Sequence, residues 1–134
     1  MTVTETLRRA LDEMPAVRLA VLFGSAARSA ERAESDLDVG VSLERDAERS
    51  PMLRVELERA AGRPVDLIWL EESPPLLRFE IARDGVVLVE RVPHLWADFR
   101  AHAMIDWWDW MPTARMMHRV ADARVRDEAG RGPA

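Results

Sequence analysis

Two apolar runs joined by a short polar stretch constrain this chain more than anything else in it. The first, Val17-Arg18-Leu19-Ala20-Val21-Leu22-Phe23, ends in Gly24-Ser25. The second, Leu37-Asp38-Val39-Gly40-Val41-Ser42-Leu43, follows Ser35-Asp36. Runs this rich in Val, Leu and Phe read as strands, and the nearly unbroken first one reads as central in its sheet. The polar stretch between them therefore spans one edge of that sheet, with Gly-Ser at its start and two aspartates at its end.

Around these strands the chain alternates. Thr2 or Thr4 caps a first helix with Leu7, Ala10, Leu11 and Met14 on one face, and Pro15 ends it. A short helix is expected from Ser25 to about Arg32. Ser50-Pro51 opens another helix that Gly62 stops, since Pro is favourable in a first turn and Gly just past a last one. Pro64-Val65-Asp66-Leu67-Ile68-Trp69-Leu70 is a third strand, Ser73-Pro74-Pro75 starts a helix through Ala82, and Val86-Val87-Leu88-Val89 is a fourth, short strand. A long helical segment runs from Pro93 to about Val125, with an interruption expected at Pro112. Strands alternating with helices define an α+β or α/β sheet domain.

Composition narrows the chemistry. The chain has 134 residues, enough for one domain with a real core, and a net charge of −5, which argues against a general nucleic-acid binder. There is no cysteine, which removes thiolate catalysis and cysteine-ligated zinc, and the three histidines are scattered. All 19 basic residues are arginine, so no catalytic lysine exists. The opening residues have neither the charged segment nor the apolar run of a signal peptide, and no apolar stretch reaches membrane-spanning length, so a cytoplasmic location is expected.

Three features carry chemistry. Gly24 lets the backbone turn sharply, and Ser25 adds a hydroxyl where free helix N–H groups form an anion site; the same dipeptide also serves as a plain connection. Asp36 and Asp38, at i and i+2, point to one side of a strand, where two like charges repel unless a cation lies between them. Such carboxylates suit Mg²⁺, although Ser-Asp-x-Asp can also be a solvated turn. Asp66 is a lone acid in an apolar strand, so it must face solvent, an arginine or a metal. A third carboxylate one strand over allows two metals roughly 3.5–4 Å apart to be shared, as phosphoryl-type chemistry requires.

With Gly24-Ser25-x-Ala27-Arg28, Ser35-Asp36-x-Asp38 and an isolated strand aspartate, the chain resembles the minimal nucleotidyltransferases of the DNA polymerase beta superfamily. The segment from Pro75 to Leu88 and the aromatic-rich helix after it resemble the MNT-type antitoxins, partners of HEPN ribonuclease toxins; the resemblance covers roughly residues 5 to 120. It implies a nucleotidyltransferase fold, α+β in class, with a small mixed sheet flanked by helices and a long C-terminal helical segment. It implies one domain over 1–134, with a core over about 5–92 and a helical segment over about 93–126. Gly24 and Ser25, with Arg28, would bind the nucleotide, ATP. Asp36, Asp38 and Asp66 would be the catalytic residues and the ligands of two Mg²⁺. The implied reaction is transfer of AMP to a tyrosine of the HEPN toxin, which silences it. The family pattern has Gly after Ala-Arg where this chain has Ser29; a positive φ there would cost on the order of 1 kcal/mol.

Leu95-Trp96, Phe99, Met104-Ile105, Trp107-Trp108, Trp110-Met111 and Met116-Met117 make the last helix apolar on more than one face. One face closes the core. The other is expected to dock a partner, because Trp and Met are enriched at interface centres. Two other functions stay open at this level. One is an antitoxin that acts by binding alone over a vestigial nucleotide site. The other is a small-molecule nucleotidyltransferase of the aminoglycoside-modifying kind, for whose acceptor domain the chain has little room.

Overall fold

The computed structural model describes residues 1–27 and 36–130, with Ala114 and residues 125–130 described by backbone alone. The elements are α1 (Val3–Asp12), β1 (Val17–Phe23), β2 (Leu37–Leu43), α2 (Met52–Ala61), β3 (Val65–Trp69), α3 (Pro75–Asp84), β4 (Val86–Glu90) and α4 (Leu95–Gly130). The four described strands pair in the order β3-β2-β1-β4. β1 is antiparallel to β2 and to β4, while β2 and β3 run parallel, so the sheet is mixed as expected.

Strand alternation divides the core between the two faces. On one face Ala20, Leu22, Val39, Val41, Val65 and Leu88 meet Leu7 and Leu11 of α1 and Leu57 of α2. On the other, Leu19, Val21 and Phe23 meet Ile81 of α3, with Trp96 and Phe99 of α4 packed against them. Leu7, Leu11, Leu57 and Ile81 are fully buried, each stabilising the fold by roughly 1.5–3 kcal/mol. The central strand β1 is apolar on both faces because it is covered on both, which is why its sequence shows no alternation.

Local chemistry sets the ends of the elements. The Thr2 hydroxyl accepts from the Glu5 N–H at 3.1 Å while Glu5 accepts from the Thr2 N–H, a complete capping box, so Thr2 rather than Thr4 starts α1. Ser50 Oγ accepts from the Met52 N–H at the start of α2, and Gly62 ends that helix in a left-handed conformation, φ 67°. A single 3₁₀ turn over Leu70–Glu72, which the sequence pattern does not announce, leads from β3 to α3.

Arginines clamp main-chain carbonyls. Arg91 donates to the carbonyls of Leu11 (2.7 Å), Met14 (3.0 Å) and Val17 (2.6 Å), closing the end of α1 onto the start of β1. Arg8 donates to Val87 and Leu88, and Arg100 to Ala82 at the end of α3. Replacing Arg91 with Ala removes three hydrogen bonds, although the Leu11 and Met14 carbonyls keep the N–H groups of Met14 and Val17 as donors. It is expected to destabilise the fold by about 2 kcal/mol, read by urea unfolding, and Arg91→Lys recovers only part because an ammonium lacks the fork.

One expectation fails. α4 is not interrupted at Pro112 but runs through it as one helix of 36 residues. The proline removes the hydrogen bond to the carbonyl of Trp108, but residue 108 lies on the solvent side, so that carbonyl is not shut away from water. Among the described residues no helix is long and apolar enough to cross a membrane.

Candidate active site

The sheet brings Gly24, Asp38 and Asp66 together on its α3-facing surface. Leu37, Val39 and Val41 point into the α1/α2 core, so Asp38 between them points the other way. The same alternation in β3 sends Asp66 to the side of Ile68. Asp38 is the register partner of Asp66 in the parallel pair and of Phe23 in the antiparallel pair. Adjacent strands lie about 4.8 Å apart, so the two carboxylates start from neighbouring backbone positions on one face.

They line a cavity of about 350 Å³ whose wall also includes Phe23, Gly24, Ile68 and Leu77. Gly24 turns the chain out of β1 with φ 75°, a conformation that costs other L-residues about 1–2 kcal/mol. A Cβ at this position would overlap Asp38 Oδ2 and lie 3.3 Å from Cγ, so only glycine leaves the Asp38 carboxylate where it stands.

Asp38 is half-buried and its carboxyl is held above the usual carboxylate range, first by burial, then by the charges of Asp66 and of Asp36. Among the described residues no arginine is salt-bridged to Asp36, Asp38 or Asp66. Asp66 has no arginine partner among the described residues; it is exposed and lines the cavity. Asp36, exposed and one residue ahead of β2, stands outside the cavity wall, though its charge reaches Asp38.

Ser25 lies in the turn after Gly24 and is likewise not part of the wall; the expected helix from Ser25 is represented by a turn over Ser25–Ala27. Arg28 and Ser29, and the rest of that helix to Arg32, lie outside the described residues.

Helix α3 contributes what the sequence reading missed. Leu77, Glu80, Arg83 and Asp84 complete the wall. Arg83 donates to Asp84 Oδ2 through Nε (3.1 Å) and Nη2 (2.8 Å), so the cavity keeps an excess of negative charge. Positions 77, 80 and 84 recur at helical spacing directly after the third strand, a signal that could have found them.

Hard carboxylate oxygens on a polar, electronegative floor fit Mg²⁺, which takes one or two protein carboxylates and completes its shell with phosphate and water. Among the described residues no three acidic or imidazole side chains are gathered closely enough to hold a metal by themselves. The donor set thus fits an ion brought in with a phosphate ligand.

Because the folded state raises the Asp38 pKa above its unfolded value of 3.8, Asp38 favours folding when protonated and loses that contribution as pH rises through the folded value. Thermal unfolding of the ligand-free protein is expected to show Asp38→Asn more stable than wild type at pH 7, with the gap closing near pH 3. Mg²⁺ affinity in wild type is expected to fall as pH drops through the same window.

A mixed sheet with two strand-borne carboxylates beside a glycine turn suits chemistry on phosphate groups assisted by divalent ions. The chain belongs to the polymerase beta nucleotidyltransferase family, whose model matches residues 5–94. Solved structures share the fold. A chain of a toxin–antitoxin crystallised with AMP-PNP matches at TM-score 0.70 and 20% identity, covering 88% of this chain and 98% of that one. A chain of the toxin–antitoxin MntA–HepT gives 0.67 and 19%, covering 89% and 97%. A chain of the complex of the tri-AMPylated Shewanella oneidensis HEPN toxin with an MNT antitoxin gives 0.65 and 19%, covering 89% and 96%. A comparison with curated protein sequences finds no match.

Proposed function

We propose that this protein is an antitoxin that transfers AMP from ATP to a tyrosine of a HEPN-type toxin. The observation that carries the reading is the pairing of Asp38 with Asp66 across β2 and β3, at a cavity opened by Gly24. It is supported by structural neighbours that include a toxin–antitoxin with AMP-PNP and a tri-AMPylated HEPN toxin with its antitoxin.

Residues 5–92 form the catalytic core. Asp36, Asp38 and Asp66 would hold two Mg²⁺, whose charge, when bound, would offset that of the triphosphate and favour the ionised acceptor hydroxyl. Gly24 and Ser25 present backbone N–H groups and a hydroxyl to the phosphates, and Arg28 adds a fixed positive charge. Asp66 takes the proton of the tyrosine hydroxyl. The phenolic oxygen bonds to the α-phosphorus, the bond to the bridging oxygen breaks, and pyrophosphate leaves. Positioning and charge neutralisation supply most of the rate, so no histidine or lysine is required.

The acceptor protein must reach Asp66 over α3 and the proximal part of α4. There a second hollow, of about 330 Å³ and lined by Phe79, Arg100, Ala101 and Met104, shares Arg83 with the catalytic cavity. Met104 (42% exposed), Ile105 (57%) and Trp108 (65%) extend this apolar surface, which is the docking face of the toxin.

The test is incubation of the purified chain with its toxin, Mg²⁺ and ATP labelled on the α-phosphate. Label is expected on a toxin tyrosine and is expected to vanish with Asp66→Asn. Undiminished labelling by that variant would remove the site, and label on hydroxylated small molecules without toxin would replace the acceptor class.

A further inference from the structure

The proximal part of α4 is seated on the body. Trp107 stacks on Phe79 with ring centroids 4.9 Å apart, and Asp106 pairs with Arg78 at 2.9 Å. Beyond Trp110 the same helix leaves the body: every side chain described from Pro112 to Arg124 is exposed, including Met116 (61%), Met117 (62%) and Val120 (48%). At 1.5 Å per residue, α4 is about 54 Å long, and about a third of it, from Pro112 to Arg124, stands clear of the body. A free helix of this length is marginal in water without a packed face. Where it leaves the body, Leu76, Trp107, Trp110, Met111 and Met117 wall an apolar groove of about 570 Å³.

Charge says what covers it. From Leu95 to Met111, α4 carries three aspartates against one arginine, a net −2. From Pro112 to Gly130 it carries Arg115, Arg119, Arg124 and Arg126 against Asp122, Asp127 and Glu128, a net +1, with the basic residues leading. The helix is acidic where it lies on the body and basic where it projects. We infer that the projecting part of α4 pairs antiparallel with α4 of a second copy of this chain. Antiparallel crossing is the arrangement in which each basic half lies over the other copy's acidic half, whereas parallel pairing sets like charges together. A crossing centred on Pro112 brings Met117 of each copy level with Trp107 of the other, and Arg115 level with Asp109. Methionine sulfur against an indole is a favourable fit for the groove. The contact is two-fold and closes on itself, so it makes dimers rather than fibres. The inference does not rest on the nucleotide chemistry.

The test uses the full chain without any partner, with mass measured by light scattering across a dilution series and folding checked by circular dichroism. Wild type is expected to be a dimer that dissociates on dilution, and Met117→Asp to weaken it about tenfold or more. Arg115→Glu with Arg119→Glu places acid over acid, and Asp109→Arg places base over base. Each folded variant is expected to be monomeric alone, and an equimolar mixture to form the heterodimer, because both ends of that pair are attractive. A wild type that stays monomeric throughout overturns the inference. So does a dimer indifferent to these substitutions.

Discussion

Asp38→Asn is expected to reduce AMP transfer by on the order of 10³-fold while making the ligand-free protein more stable. Loss of one preorganised charged group at a reacting centre has this scale, equivalent to about 4 kcal/mol of barrier. The gain in stability has the same origin. In the folded protein Asp38 is partly buried beside Asp66 and within reach of Asp36, so its ionised form is held at a disadvantage that asparagine lacks. The two effects are separated by adding Mg²⁺ with a non-hydrolysable ATP analogue. That addition is expected to raise the melting temperature of wild type and leave the variant unmoved. An asparagine variant that still transfers AMP would show that Asp38 is a structural residue near the site rather than part of it.

Gly24→Ala is expected to have a comparable effect on transfer for a different reason. At φ 75° an added Cβ carries about 1–2 kcal/mol of backbone strain, and its direction is toward the Asp38 carboxylate. A carboxylate can rotate away, so the fold survives with a modest fall in melting temperature, but the group then leaves the position in which it faces Asp66. Activity is therefore expected to fall about 10²-fold or more, as for other displacements of reacting groups by about 1 Å. Titration with Mg²⁺, followed by the change in intrinsic Trp fluorescence or by calorimetry, is expected to show weakened binding in both variants. Wild-type transfer in Gly24→Ala would mean that the turn at β1 has room the geometry denies it.

The fold and half of the site were legible in the sequence for identifiable reasons. Strands β1 and β2 showed themselves because a strand buried on both faces must be apolar throughout, and Asp38 and Asp66 stood out as acids within such runs. Their pairing followed from neither run alone; it needed the parallel register of β2 with β3. The wall supplied by α3 was hidden because Glu80, Arg83 and Asp84 look like any solvated helix face until the crossover lays that helix on the sheet. The clamps of Arg8, Arg91 and Arg100 were hidden too, since which carbonyls come within reach of a guanidinium depends on tertiary packing. Pro112 misled because the rule against proline in helices describes an average cost, and that cost is lower where the carbonyl is not shut away from water.

The register of the mixed sheet has one more consequence. Asp38 and Asp66 extend from residues locked opposite each other by the main-chain ladder, so their separation is ruled by the peptide backbone and not by packing of side chains around them. The sheet works as a fixed gauge. Lengthening either acid to glutamate preserves charge but shifts the oxygens by about 1.5 Å, one carbon–carbon bond, against a backbone that has no slack to follow. A site built this way tolerates drift in the core that supports it and tolerates almost none in the length of the two side chains it measures out.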